Sequence, residues 1–277
     1  MGDNRRLLLL PMVVLSLAFF VVPLFVMVAV SLTDWPRGGE VTLEAYRGFL
    51  GDPFNVGVMI NTLLGLKVVG ATTLLGLPIG LLYLHAPPRW RHVIIFLTLL
   101  PILTSNVVRT FAWIVILGRE GLLNSALIGL GLTNTPMRLL FTEFGLVLAL
   151  TQIELPLLVL PLIAVLSRLD QRYLEAAATL GAGSWRILVT VILPAAIPGI
   201  LAGWVLVFAS AVTSFVTQAV IGGARNIYLP LFVYQQVGTL FNWPLAAAVA
   251  VVLLVSTGTV LIALTMLGRH KRLVAYA

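Results

Sequence analysis

The sequence predicts an all-α, polytopic membrane protein with six transmembrane helices. Of its 277 residues 60% are hydrophobic and only 10% charged, and the mean hydropathy of +1.08 lies outside the soluble range. Apolar runs of at least the ~20 residues needed to cross a hydrocarbon core occur at 7–32, 57–84, 93–117, 144–166, 197–221 and 245–267. The basic residues flank these runs. A net charge of +7 would suggest nucleic acid in a soluble chain, but here it reads as a topology signal beside membrane lipids, with no nucleic-acid partner.

The first span follows a short head carrying Arg5 and Arg6, which resembles the basic start of a signal peptide, and Ala29 to Ser31 resembles a cleavage site. The apolar run is too long for a removable segment, so an anchor is expected. The outer loop after it, 33–56, sets Asp34, Glu40, Glu44 and Asp52 against Arg37 and Arg47. Gly76, Pro78 and Gly80 interrupt the second span, Pro101 the third, Pro156 and Pro161 the fourth, and Gly199 and Gly203 the fifth. Close helix contact through small residues is the simpler reading of these positions, and gating hinges are the other. In the outer loop 118–143, Asn124 is placed to cap a short apolar helix. Tyr228, Asn242 and Trp243 suit interfacial anchors. The chain divides into 1–56 (first helix and first outer loop), 57–268 (five-helix core with an inner loop at 168–194) and a tail, 269–277.

Orientation follows from the basic residues. Arg5, Arg6, Arg89, Arg91, Arg168, Arg172, Arg186, Arg269, Lys271 and Arg272 put ten on one face, against five on the other: Arg37, Arg47, Arg119, Arg138 and Arg225. The richer face is expected to be cytoplasmic, with both termini inside.

The inner loop between spans four and five contains EAAATLGAGSWRILVTVILP, residues 175–194, too polar and broken to span a bilayer. Asp170 is placed to cap a helix over 171–180, Gly181 to supply its left-handed end, Ser184 to cap a second helix, and Pro194 to end or kink it. Tyr173, Ala177 and Leu180 are expected to share one face, and Trp185, Leu188 and Ile192 another. Neither helix is long enough to be stable alone. The surface of Ala176, Ala177 and Ala178 has little relief, so a partner's groove can approach the backbone, with Glu175 beside it. A hairpin lying on the membrane, rich in alanine because alanine favours helix, is the competing reading.

The spacing Glu175-Ala176-Ala177, Gly181, Val191, Leu193-Pro194 resembles the signature loop of the membrane subunits of binding-protein-dependent ABC importers, with Val191 where isoleucine is usual. The stretches RTFAWIVILGREGLLNSAL, LGLTNTPMRLLFTEFG and FNWPLAAAV resemble the branch that imports spermidine, putrescine and related opines and phosphonates. The resemblance implies a type I importer permease fold of the MetI-like kind, in a bacterial inner membrane. It implies that Glu175, Ala176, Ala177, Gly181, Leu193 and Pro194 dock a cytoplasmic ABC ATPase dimer as a coupling helix. It also implies a second permease subunit, a non-identical homologue, and a periplasmic or lipid-anchored solute-binding protein. ATP and Mg belong to the partner ATPase: this chain has no G-x-x-x-x-G-K-[ST] loop, its only lysines being Lys67 and Lys271.

Lys67, Arg109 and Glu154 fall inside spans, at depths that place them in one layer roughly 12–15 Å from the outer boundary at the α-helical rise. Buried charges should pair or face a cavity. Two readings fit: an Arg109–Glu154 ion pair tying spans three and four with Lys67 solvated, or a wall of the passage touching solute. Gln152 can serve either. One surplus positive charge suits a carboxylate or phosphonate better than a bare polyamine.

Other classes lack their residues. There is no cysteine; His85, His92 and His270 form no metal-ligand spacing, so no metal site is expected. No span holds two carboxylates, and there is neither H-E-x-x-H nor G-x-S-x-G, so no enzyme is expected. An ATP-independent secondary transporter or channel subunit is the alternative, but it leaves the inner loop without a task.

Overall fold

The computed structural model describes residues 3–35, 39–223 and 226–268, most of them helical. The single extended pairing among them is an isolated bridge between Thr33 and Val41. Six stretches are long and apolar enough to cross a membrane: Val14–Ser31, Pro53–His85, Asn106–Gly129, Glu143–Leu166, Ser184–Thr213 and Trp243–Met266. The count matches the sequence; several boundaries do not.

Helix α1 runs Asp3–Ser31, and α2, Glu44–Gly51, follows in the outer loop. The second run is two helices, α3 Pro53–Thr62 and α4 Leu64–His85, interrupted at Leu63. The third is more deeply broken. Helix α5, Pro88–Leu99, passes into a 3₁₀ turn at Leu100–Leu103, because Pro101 has no N–H for the helical ladder. Ser105 then restarts the chain as α6, Asn106–Leu117, its hydroxyl accepting from the Val107 amide. The expected single helix over 93–117 is therefore corrected.

Helix α7, Leu122–Gly129, begins after Gly121. Asn124 lies inside it and is fully buried, so it is not the expected cap. Its amide donates to the carbonyls of Gly118 and Met137 at 2.9 and 3.0 Å and accepts from the Met137 N–H at 2.8 Å, clamping the outer loop. Helix α8, Glu143–Leu166, is capped by Thr142 and continues through Pro156 and Pro161. After it come α9, Gln171–Thr179, α10, Ser184–Ile187, a π-turn over Leu188–Ile192 and α11, Leu193–Thr213. The fifth span thus starts at 184, not 197. It ends where Ser214 leaves helical geometry, before α12, Phe215–Thr217, and a second π-turn at Gln218–Gly222. Helices α13, Leu229–Gly238, and α14, Trp243–Gly268, complete the chain.

The chain forms two compact units, Met1–Ile60 with Tyr228–Ser256, and Asn61–Ile227 with Thr257–Ala277. In the first, Phe49 is wholly buried against the tilted ring of Phe232, centroids 5.9 Å apart. The Ser31 and Tyr46 hydroxyls share a hydrogen bond of 2.7 Å. Tyr228 is buried rather than interfacial, whereas Asn242 caps α14 through the Leu245 amide. Trp243 meets Trp35 edge to face at 6.4 Å.

The second unit is built on α4, α8 and α11. Lipid gives no hydrophobic drive to helix association, so close packing must hold these helices together. Its means is visible in the glycines. A methyl on Gly76 or Gly80 of α4 would strike Leu158 or Leu162 of α8, and one on Gly199 or Gly203 of α11 would strike the α8 backbone itself. Leu84, Leu162, Leu166, Ile192, Ala196 and Ile200 fill the inner end of this three-helix core.

Candidate functional site

The inner loop is rooted in that core. Asp170 caps α9 as expected, its carboxylate accepting from the Arg172 N–H at 2.9 Å. At the other end the Ala182 N–H donates to Ala177 and the Gly181 N–H to Ala178, at 3.0 and 2.9 Å, with Gly181 at φ +81°. This is the paired closure that a left-handed glycine allows.

The second half departs from expectation. Gly183, not Ser184, precedes α10, and no side chain caps it. Pro194 does not end this helix. The π-turn at Leu188–Ile192 lies directly before it and joins α10 to α11, a wider turn that absorbs the missing N–H. The faces also shift. Leu174, Ile187, Leu188 and Leu193 pack on the buried cluster, while Tyr173, Leu180 and Trp185 are 65%, 88% and 76% exposed. The expected stripes Tyr173–Ala177–Leu180 and Trp185–Leu188–Ile192 are therefore wrong. Leu174 and Ala177 are the half-buried positions of α9, while Glu175, Ala176 and Ala178 are exposed like the three large residues. Leu193 and Pro194 are half-buried at its root.

The intramembrane charges are arranged differently from the single layer expected. Lys67 pairs with Glu143, both side chains largely exposed. Because the second run is interrupted at Leu63, Lys67 falls in the first turn of α4, level with the first residue of α8. Glu154 is three helical turns further along, about 16 Å at 1.5 Å per residue. Lys67 is thus neither in that layer nor merely solvated.

Arg109 makes no ion pair with Glu154 within 4.0 Å; among the described residues Lys67–Glu143 is the one such pair. Its guanidinium donates instead to the Ile153 carbonyl at 3.2 Å and to the Asn106 side chain. Glu154 is 3% exposed, and its electrostatic neighbours are the Ser210 hydroxyl on α11 and, at longer range, Arg109. The Gln152 side-chain oxygen accepts from the Trp113 indole at 3.1 Å.

The sequence reading missed a polar knot at the end of α11. Gln218 is 1% exposed and donates to the carbonyls of Ala211 and Val212 at 2.9 and 3.2 Å, at the break where the Ser214 N–H turns back to Ala211 at 3.4 Å. The hydroxyls of Thr110 and Thr217 meet at 3.0 Å beside it. The signal was present as Thr213-Ser214 and Thr217-Gln218 within the fifth apolar run. His85 and His92 bond carbonyls of their own neighbourhood, Leu81 and Pro88. Arg37, Arg225 and the tail 269–277, with Arg269, His270, Lys271 and Arg272, lie outside the described residues.

Apolar helices with packed glycine seams, and an exposed helical hairpin seated at one end of them, define a membrane-embedded protein of the all-α class. The family model described as "binding-protein-dependent transport system inner membrane component" matches residues 72–272, and the chain belongs to that family. It is 34% identical over 266 residues to the spermidine/putrescine transport system permease protein PotB of Haemophilus influenzae, covering 92% of this chain and 89% of the relative. It is 32% identical over 222 residues to PotB of Escherichia coli, covering 80% of each. It is likewise 32% identical over 247 residues to the putative 2-aminoethylphosphonate transport system permease protein PhnU of Salmonella paratyphi A, covering 88% of this chain and 84% of the relative. Among solved structures, a bacterial ABC transporter that imports the acidic polysaccharide alginate superposes with a TM-score of 0.75 at 16% identity, over 96% of this chain and 95% of that one. This likeness carries the fold alone, that of ABC importer permeases.

Proposed function

We propose that this chain is the membrane subunit through which a partner ABC ATPase dimer, binding ATP and Mg, drives import of a small amine. Spermidine and putrescine are the leading candidates, with related opines, amino acids and phosphonates behind them. The observation that supports docking is the inner hairpin. Three large apolar side chains, Tyr173, Leu180 and Trp185, remain exposed on the hairpin that carries Glu175 and the alanines, while Leu174 and Leu193 tie the same hairpin to the three-helix core. Force applied to α9 would reach α4, α8 and α11 directly. On this reading Glu175, Ala176 and Gly181 meet the ATPase, the half-buried Ala177 lets α9 sit close to the core, and Leu193 and Pro194 pass its movement into α11, rocking the spans between inward-open and outward-open states.

The solute reading rests on the relatives' names, whose solutes all carry an amino group. A second permease subunit completes the passage, and a soluble binding protein delivers solute to the outer face. Lys67 and Arg109 offer side chains to the passage. Glu154 ties α8 to α11, and Gln152 acts by fixing Trp113. Both termini are inside, so the hairpin is cytoplasmic.

The test is purification with the products of neighbouring genes and measurement of ATPase activity and uptake over polyamines, opines, amino acids and phosphonates. Stimulation by binding protein loaded with spermidine or putrescine is expected. Stimulation by another solute alone overturns the polyamine reading, and uptake by the isolated chain without ATP overturns the coupling reading.

A further inference from the structure

Two cavities against the α4–α5 hairpin are parts of one groove. The larger, about 670 Å³, opens at the hairpin's elbow beside His85, Pro87 and Trp90. The smaller, about 370 Å³, continues past Leu97 to Pro101 and Pro156. Pro78, Leu82 and Ile94 wall both. The groove therefore follows α5, whose 12 residues cover about 18 Å at the helical rise, close to the thickness of one leaflet's hydrocarbon. Its walls are mostly apolar: the Thr98 hydroxyl is spent on the Ile94 carbonyl at 2.8 Å, and the side-chain oxygen of Gln152, the other polar residue of the smaller cavity, accepts from the Trp113 indole.

The open end is different. Pro87 precedes α5 without any side-chain cap, and its carbonyl accepts from the Trp90 and Arg91 N–H groups at 2.9 and 3.2 Å. Arg89 is exposed in the same turn, and Trp90, 55% exposed, forms the lip. Arg91 is turned inward, donating to the carbonyls of Ala86 and Leu84 at 2.9 and 3.1 Å and lying over the Tyr83 ring at 5.5 Å. It braces the elbow, and among the described residues Arg89 has no ion-pair partner. The sequence has no Asp or Glu between Asp52 and Glu120, so no carboxylate on these helices neutralises it.

An apolar slot one leaflet long, with a tryptophan lip and an exposed arginine next to it in the chain, matches an amphiphile with a negative head. We infer that this groove holds an acyl chain of an anionic phospholipid, its phosphate beside Arg89.

The probe is phosphatidylglycerol against phosphatidylcholine of the same chains, added to the delipidated full complex and read by native mass spectrometry. Wild type is expected to retain phosphatidylglycerol about fivefold better, the preference that one arginine near a lipid phosphate supplies. Arg89→Gln should abolish the preference while keeping basal retention of both lipids. Leu82→Trp, which fills the slot, should lower retention of both while the complex stays monodisperse. Equal retention of the two lipids by wild type, or a preference that survives Arg89→Gln, overturns the headgroup assignment. Retention unchanged by Leu82→Trp, or no retention at all because a partner subunit covers the groove, overturns the site.

Discussion

Gly199 and Gly203 lie one turn apart on α11 and let it ride on the α8 backbone. A methyl on Gly199 would come within 2.9 Å of the Leu162 Cα and of the Pro161 carbonyl oxygen; on Gly203 it would come within 2.9 Å of the Leu158 Cα. Ordinary contact begins at 3.4 Å, and backbone cannot swing aside as a side chain can, so the helices must part by about half an ångström. Overpacking of this kind costs about 1–3 kcal/mol, against which alanine's better helix propensity returns up to about 1 kcal/mol. Gly199→Ala and Gly203→Ala are each expected to destabilise by about 1–2 kcal/mol, and the double variant by less than the sum because both strain one seam. Gly70→Ala and Gly258→Ala are the controls, since nothing lies within 4 Å of either position; they should be neutral or stabilising by up to about 1 kcal/mol. Denaturation of the purified subunit by sodium dodecyl sulfate, followed by circular dichroism, reads the difference. If the seam variants unfold alongside the controls, the close approach of α8 and α11 is wrong.

Further outcomes follow from the same geometry. Glu175→Arg and Gly181→Asp should abolish uptake in whole cells while leaving membrane insertion intact, because one reverses the charge on the exposed hairpin and the other strains its left-handed turn. Normal transport by both would reject the docking role. Gln218→Leu removes the side-chain donor from the Val212 carbonyl and leaves the Ala211 carbonyl only the Ser214 N–H at 3.4 Å, and should cost about 1–3 kcal/mol in the same unfolding assay. Lys67→Met removes only an exposed pair and should change stability by less than about 1 kcal/mol; a larger loss would mean that the pair is buried in the assembly.

The sequence made the span count legible because each crossing is an apolar run of sufficient length, and it made the hairpin legible because Asp170 and Gly181 are local signals with local partners. What it hid depends on contacts between distant residues. Leu63 and Ser214 carry no breaker signature, so the interruption of the second run and the end of the fifth could not be read. With them went the depth of Lys67, whose pairing with Glu143 joins residues 76 apart in sequence. Pro194 looked like a stop because the π-turn that accommodates it has no sequence mark. Helical spacing groups Tyr173 and Leu180 with Ala177, and Trp185 with Leu188 and Ile192, but does not tell which side meets its own protein and which meets another.

That last ambiguity concerns the central claim, that the face around Glu175 belongs to a partner ATPase. The chain has no cysteine, so a single cysteine placed at Leu180 can carry a photo-crosslinker without background. In membranes containing the whole complex, illumination is expected to join residue 180 to the ATPase subunit, with a yield that changes when ATP is bound. Crosslinks only to lipid, or a cysteine labelled solely from the periplasmic side, would contradict it.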